Sequence, residues 1–134
     1  MRIIAVDYGD VRTGVAVSDL TGSIAGEVFV IEERDAARLA ARLVAEVQER
    51  GGETLVLGYP KNMDGTLGVR AEKSEALAEL LRAAGVAVVL WDERRTTVAA
   101  HNILSANNKR GKKRKQIVDA VAATLILEGY LATL

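Results

Sequence analysis

The chain has 134 residues, of which 18 are acidic and 18 are basic, so its formal net charge is zero. It has no cysteine, which excludes a disulfide scaffold, a cysteine-ligated zinc site and a thiol nucleophile. Its length suits one domain, residues 1–134, with its own hydrophobic core. No apolar run reaches the roughly 18 residues of a membrane span, and the N-terminus lacks the form of a signal peptide. We therefore expect a cytoplasmic protein with no membrane partner.

The first part of the sequence predicts three antiparallel strands. Arg2–Tyr8 is apolar at consecutive positions, which is typical of a strand covered on both faces. Thr13–Ser18 and Ser23–Ile31 follow after short turns rich in glycine and aspartate. Short turns join neighbouring antiparallel strands, so the three segments predict a meander.

The next part alternates helices with strands. Asp35 is a predicted N-cap, and apolar residues recur at helical spacing from Ala36 to Val47 before Gly51-Gly52 ends the helix. Thr54–Gly58 predicts a fourth strand. A second helix ends at Gly85, and its apolar face is predicted from Leu77, Leu80, Leu81 and Ala84.

The C-terminal part begins with a fifth predicted strand, Val86–Trp91. A helix capped by Thr96 or Thr97 follows, then a basic loop, and then a last helix from about Gln116 to Leu131. This order predicts an α/β fold with a five-stranded mixed sheet. Three strands form the antiparallel meander, two are parallel, and helices flank the sheet.

The charges are segregated along the chain. The window from Arg94 to Val118 has eight basic residues and no acidic one, which leaves ten basic and eighteen acidic residues elsewhere. Six of the eight are Lys109, Arg110, Lys112, Lys113, Arg114 and Lys115. Such a run is either a solvated loop or a segment that contacts nucleic-acid phosphates, and the sequence leaves both open.

Three acidic positions stand at the ends of apolar elements. Asp7 ends the first strand, Asp92-Glu93 follows the fifth, and Asp119 lies one turn into the last helix. A buried carboxylate is costly unless it is paired, hydrogen-bonded or bound to a metal. Ligands in mixed α/β sheets bind beyond the carboxyl ends of the strands, which favours a functional role.

Each acid also has a structural interpretation. Asp7 could accept hydrogen bonds from amides of the following turn, and Asp92-Glu93 could pair with Arg94 or Arg95. Asp119 could simply place a favourable charge near a helix N-terminus. Its neighbours at i+3, i+4 and i+7 are apolar, however, which places it on an inward face.

Carboxylates without histidine or cysteine select oxygen-preferring cations such as Mg²⁺ or Mn²⁺. Such a cluster suits two-metal hydrolysis of a phosphodiester bond. The basic run lies between the second and third acids in sequence, where it could hold a nucleic acid over the site. Further candidates for phosphate contact are Arg12, Lys61, Asn62 and Arg94.

Four segments, in order, resemble motifs of the YqgF (RuvX) family, which is described as Holliday-junction-resolvase-like and as pre-16S rRNA nucleases. They are Ala5–Asp19, Val56–Gly65, Trp91–Ala100 and Lys112–Leu131. The resemblance spans essentially the whole chain. It implies a ribonuclease H-like fold, with Asp7, Glu93 and Asp119 as catalytic and metal-binding residues.

The function implied is a nuclease that processes the 5′ end of the 16S rRNA precursor in ribosome biogenesis. RNA is therefore the favoured partner. The protein itself is expected to be a monomer or a homodimer. Resolution of branched DNA and non-catalytic RNA binding in ribosome assembly stay open as alternatives. An actin-like or sugar-kinase ATPase is disfavoured, because those proteins clamp ATP between two such domains and the 134 residues of this chain supply one.

Overall fold

The computed structural model describes residues 2–19, 25–59, 68–92 and 111–134, without the side chains of residues 25–26 and 111–119. The predicted helix after Thr96 or Thr97 lies outside these ranges. None of the described helices is long and apolar enough to cross a membrane.

Within the described residues, five strands form one sheet in the order β3-β2-β1-β4-β5. The strands are β1 (Arg2–Asp7), β2 (Arg12–Ser18), β3 (Ala25–Glu32), β4 (Gly52–Tyr59) and β5 (Val88–Asp92). The pairs β1–β2 and β2–β3 are antiparallel, whereas β1–β4 and β4–β5 are parallel. This confirms the predicted mixed sheet, with the first strand of the chain at its centre.

Three helices are described: α1 (Ala36–Arg50), α2 (Val69–Ala83) and α3 (Gly111–Leu131). Asp35 caps α1 as predicted, because its Oδ2 accepts a hydrogen bond of 2.9 Å from the Arg38 N–H. Gly51 follows α1 with φ of 64° and its N–H returns to the last turn, so it ends the helix as predicted.

Two parts of the prediction differ from the structure, the start of the last helix and the buried face of α2. The sequence predicts a basic loop through Lys115, but α3 begins at Gly111, so Lys112 to Lys115 belong to its first turns. Lysine and arginine are good helix formers, and a helix can begin in charged residues before its apolar face. On α2, Leu80 and Ala84 are exposed, and the buried residues are Ala71, Ser74, Leu77, Ala78 and Leu81.

The two faces of the sheet have separate cores. Ile4 and Val6 of β1 face α1 and α2, whose aliphatic side chains complete the first core. Ile3 and Ala5 face α3 and pack against Ala123, Ile126 and Leu127 in the second core. The consecutive apolar residues of β1 are thus explained by burial on both faces.

At the end of the sheet where β1 begins, Arg50, the last residue of α1, contacts strands β3 and β1. Arg50 forms ion pairs with Glu27 and Glu46, and its guanidinium lies 5.0 Å from the centre of the Phe29 ring. The hydrogen bond from Arg50 holds the pKa of Glu27 below its usual range. Arg2 Nη1 donates to the Arg50 carbonyl at 3.0 Å, which ties α1 to the central strand.

Candidate functional site

The opposite end of the sheet brings together the residues that the sequence singles out. Strands β1, β3, β4 and β5 all run toward it and β2 starts from it. We call it the carboxyl end of the sheet. The strand residues that lie there are Asp7, Arg12, Glu32, Tyr59 and Asp92.

Asp7 occupies the centre of this end and the face that α3 covers. It continues the alternation of Ile3 and Ala5, which pack in the second core, and it is half-buried. Its register partner on β2 is Gly14. On the other side, Gly58 follows Leu57 in β4 as Asp7 follows Val6 in β1. The two flanking strand positions are glycines, so neither covers the Asp7 carboxylate with a side chain.

Asp92 lies on the other face of the sheet. On β5, Leu90 packs against the α1 and α2 core whereas Trp91 packs against the α3 core. Side chains alternate along a strand, so Asp92 follows Leu90 to the face opposite Asp7. The predicted strand ends at Trp91, but in the structure Asp92 is the last residue of β5 and pairs in register with Tyr59.

The backbone position of Asp119 is in α3, before residues that pack on the sheet. Ala122, Ala123 and Ile126 are all buried, as the sequence spacing predicts. Because Asp119 precedes them by three, four and seven residues, it occupies the same helical face. That face is turned toward the side of the sheet that carries Asp7.

Several predicted site residues lie outside the described parts of the chain. The residues outside the described ranges are Lys61, Asn62, Glu93, Arg94, Lys109 and Arg110, and the side chains not described are Lys112, Lys113, Arg114, Lys115 and Asp119. Among the described side chains, no group of three or more histidines or acids is placed to hold a metal ion. The three-acid cluster therefore stays a prediction.

The turn after Asp7 is tight and requires glycine at one position. A Cβ on Gly9 would lie 2.2 Å from the Arg12 carbonyl oxygen, so a side chain there forces the backbone to move. The Gly9 N–H donates to Oγ1 of Thr13 at 3.4 Å, and Thr13 is fully buried. The turn fixes Arg12 at the start of β2, half-buried and on the same face as Asp7.

A cluster of charged residues lies beside this turn, and no pattern in the sequence indicates it. Arg70 Nη2 on α2 donates to the Tyr8 carbonyl at 2.7 Å, and its Nη1 lies 3.4 Å from Asp10 Oδ2. Lys73 Nζ lies 3.0 Å from Asp10 Oδ1. The hydrogen bond from Lys73 and the charges of Lys73 and Arg70 lower the pKa of Asp10. About sixty residues separate these partners, so no local motif could reveal the cluster.

Tyr59 makes a further link between the carboxyl end and α2. Its hydroxyl donates to Oε1 of Glu75 at 2.7 Å. The hydrogen bond and the negative charge of Glu75 favour the neutral phenol, so the pKa of Tyr59 is raised. Together with the Arg70 and Lys73 contacts, it anchors the start of α2 to this end of the sheet.

Comparison with known proteins identifies relatives over the full length. A family model described as "RuvX: Holliday junction resolvase" matches residues 1–133. The chain is 42% identical to a "Putative pre-16S rRNA nuclease" of Acetivibrio thermocellus, covering 98% of this chain and 95% of that protein. It is 46% identical to a protein of the same name from Geobacillus thermodenitrificans, covering 98% and 97%.

A solved structure shares the fold at low sequence identity. RuvC of T. thermophilus, in complex with a Holliday junction substrate, superposes with a TM-score of 0.62 at 15% identity. The match covers 99% of this chain and 97% of that one. RuvC resolvases have the ribonuclease H-like fold, so the fold predicted from the sequence motifs is confirmed.

Proposed function

The chain belongs to the RuvX family, and on that premise we propose that it is a metal-dependent nuclease that processes the 5′ end of the 16S rRNA precursor. The observation that carries the proposal is the position of Asp7. A half-buried carboxylate lies at the carboxyl end of the central strand, between glycine positions and on the face that α3 covers. That end is where α/β sheets bind their ligands.

We assign metal binding to Asp7, Glu93 and Asp119, with Mg²⁺ or Mn²⁺ as the ion. The described part of the site fits, because Asp7 offers carboxylate oxygens on a rigid strand and these cations prefer oxygen ligands. Asp92 is set aside, since it lies on the other face of β5. When bound, the metal would supply an activated water and stabilise the leaving oxygen of the phosphodiester.

The chain's own residues hold the substrate. We assign phosphate contacts to Arg12, beside Asp7 on the same sheet face, and to the basic residues at the start of α3. The remaining candidates are Lys61, Asn62, Arg94, Lys109 and Arg110. These contacts position the backbone and carry no sequence information, so other groups must select the cleavage point.

RNA is favoured over branched DNA by the names of the curated relatives. Branched DNA is the second candidate, because the family description and the RuvC complex both concern Holliday junctions. Symmetric resolution of a four-way junction calls for two sites in a dimer, whereas RNA trimming needs one. Ribosome precursors as the partner imply that the protein acts in the cytoplasm.

A cleavage assay with Mn²⁺ tests the proposal. Single-stranded RNA carrying a precursor 5′ end and a synthetic four-way DNA junction are compared, with wild type, Asp7→Asn and Glu79→Gln. Glu79 is a matched control, because its exposed side chain pairs with Arg82 on α2 away from the site. We expect RNA cleavage that falls at least about 100-fold in Asp7→Asn and is unchanged in Glu79→Gln.

Equal cleavage by Asp7→Asn and wild type contradicts the assignment of the site. Cleavage of the junction alone supports the second candidate. Metal-independent RNA binding with no cleavage product would instead make the chain a binding module. Far-ultraviolet circular dichroism and the unfolding midpoint of each variant verify that the fold is retained.

A further inference from the structure

Two cations and one carboxylate form an exposed cluster beside the turn that follows Asp7. Arg70 and Lys73, one turn apart on α2, both contact Asp10. About half of each side chain is exposed, and the Asp10 side chain is 59% exposed. The carboxylate offsets one of the two positive charges, so the cluster keeps a net positive charge next to the proposed site.

The cluster borders a cleft at the carboxyl end of the sheet. The cleft has a volume of about 340 Å³ and is lined by Tyr8, Asp10, Arg34, Ala36, Lys73 and Ala76. That volume falls within the range of about 300–1,000 Å³ found for ligand pockets. The wall of the cleft thus has two cations, Lys73 of the cluster and Arg34, which precedes α1. An incoming anion would therefore meet positive charge from both α2 and the start of α1.

The geometry of Arg70 is already suited to an anion. One of its terminal nitrogens is held by the Tyr8 carbonyl at 2.7 Å, and the other points to Asp10. If Asp10 moves away, the guanidinium keeps its anchor and its orientation. Little side-chain entropy would then be lost on binding, which favours recognition of a phosphate.

The cluster also lies next to Asp7, the residue at which we propose that cleavage takes place. Tyr8, whose carbonyl Arg70 contacts, follows Asp7 directly. Arg70 and Lys73 lie on the α2 side of the sheet, whereas α3, with its basic start, covers the other side. A polynucleotide that crosses the carboxyl end over Asp7 would thus meet cations on both sides.

We propose that Arg70 and Lys73 bind a phosphate of the substrate backbone, and that Asp10 occupies this anion position in the substrate-free protein. The inference rests on the proposed nuclease function and extends its substrate surface to α2. Asp10 acts as an internal competitor, which the incoming phosphate displaces. An exposed ion pair is weak, so the displacement costs little.

A purely structural role for the same ion pairs predicts a different pattern. If Asp10 only fastened the turn to α2, removing the acid or removing the cations would break the same link. Both changes would then weaken substrate binding or leave it unchanged. If Asp10 competes with phosphate, the two changes have opposite signs.

The test measures binding of a fluorescein-labelled single-stranded RNA, spanning a precursor 5′ end, by fluorescence anisotropy at several salt concentrations. All proteins carry Asp7→Asn to prevent cleavage. The variants are Asp10→Asn and the double change Arg70→Ala with Lys73→Ala. The controls are Glu79→Gln and Arg82→Ala, which remove one acidic and one basic charge at the far end of α2, where Arg82 donates to the Val88 carbonyl.

We expect Asp10→Asn to tighten RNA binding about two- to fivefold, the factor that corresponds to one exposed ion pair. The double change should weaken binding and lower the slope of log K against log salt by about 0.7 for each phosphate that the protein no longer neutralises. Both controls should leave affinity and slope within error of the parent protein. The unfolding midpoints show whether each variant retains the fold.

Weaker or unchanged binding in Asp10→Asn overturns the proposal, as does an unchanged salt slope in the double variant. Either result leaves the nuclease assignment intact, because that depends on loss of cleavage in Asp7→Asn alone. Conversely, unimpaired cleavage by Asp7→Asn would remove the proposed function whatever the binding data show. The same variants measured with the four-way DNA junction distinguish an RNA surface from a DNA surface.

Discussion

The two faces of the sheet are built differently, although the same five strands form both. The face under α1 and α2 is packed with large aliphatic side chains, among them Leu39, Leu43, Leu77 and Leu81. The face under α3 has a smaller core, in which Ala5, Ala16 and Ala123 pack together with larger side chains such as Ile126 and Leu127. Asp7 lies only on the second face.

Because of this difference, we expect the face under α1 and α2 to stabilise the fold and the face under α3 to carry the proposed chemistry. Burial of large aliphatic side chains contributes most of the hydrophobic stabilisation, so the α1 and α2 side can carry the fold. The alanines of the α3 face let that helix approach the strands closely, and Asp7 lies at the end of the same face. A change on one side should therefore affect the unfolding free energy, and a change on the other the cleavage rate.

The largest expected effect on stability tests the aliphatic side. Leu81→Ala removes a fully buried side chain of α2 and should lower the unfolding free energy by about 2–5 kcal/mol. Leu80→Ala is the matched control, since the adjacent side chain is 42% exposed and its loss should cost under about 0.5 kcal/mol. Urea unfolding at pH 7 measures both.

In the same experiment, the cleavage rate per folded molecule should be unchanged by Leu81→Ala. This is the reverse of Asp7→Asn, which should reduce cleavage without loss of stability. A Leu81→Ala protein that stays folded but loses cleavage would show that the two faces are not independent.

A smaller effect is expected where α3 meets β5. A Cβ on Gly129 would lie 2.7 Å from Cζ2 of Trp91, which packs edge-on against Tyr130. Gly129→Ala gains helix propensity of up to about 1 kcal/mol, but overpacking costs about 1–3 kcal/mol. We expect a net loss of about 1–2 kcal/mol and a shifted fluorescence spectrum of this single tryptophan.

A double-mutant cycle identifies the cause. With Trp91→Phe the clashing ring atoms are gone, so Gly129→Ala should then be neutral or stabilising, as measured by circular dichroism. A stabilising Gly129→Ala in the wild-type background would mean that α3 does not approach β5 closely.

The smallest effect concerns the ion pairs of Asp10. Its pKa in the folded protein is lowered, chiefly by the hydrogen bond from Lys73, so its stabilisation is present above the unfolded pKa of about 3.8. It is lost as the pH falls through the folded pKa. Asp10→Asn should therefore cost less than about 1 kcal/mol at pH 7, and the cost should shrink toward zero as the pH falls through the folded pKa.

Unfolding of the wild type and Asp10→Asn at neutral and acidic pH measures the difference, with Glu79→Gln as control. A loss above about 2 kcal/mol at pH 7 would make the cluster a structural element. It would then belong with the stabilising α1 and α2 side rather than with the substrate surface.

The sheet is predictable from the sequence because its signals are local. Consecutive apolar residues in β1 indicate burial on both faces, and short turns indicate the meander. The N-cap at Asp35 and the helix end at Gly51 follow from local backbone chemistry as well. The family motifs then supply the fold class.

The errors arise where tertiary packing decides. Apolar spacing alone does not distinguish Leu80, which is exposed, from Leu81, which is buried, because the angle at which α2 packs selects the face. A run of basic residues is typical of a solvated loop, so the sequence predicts a loop before the last helix. Lysine and arginine are also good helix formers, and in the structure the residues from Lys112 to Lys115 belong to the first turns of α3. The Asp10 cluster joins distant residues, so no pattern along the chain indicates it.

The order of the elements along the chain determines when each face of β1 can be covered during synthesis. Strand β1 is made before the elements that cover it. Its α1 and α2 side can be covered once residue 83 has been made, and its other side can be covered only after α3 has been made. At about 5–20 residues per second, the nascent chain passes through a stage in which a partly built domain exposes the Asp7 face. Because α3 supplies Asp119 of the proposed metal site as well as residues of the second core, the proposed nuclease cannot become active before that helix has been made.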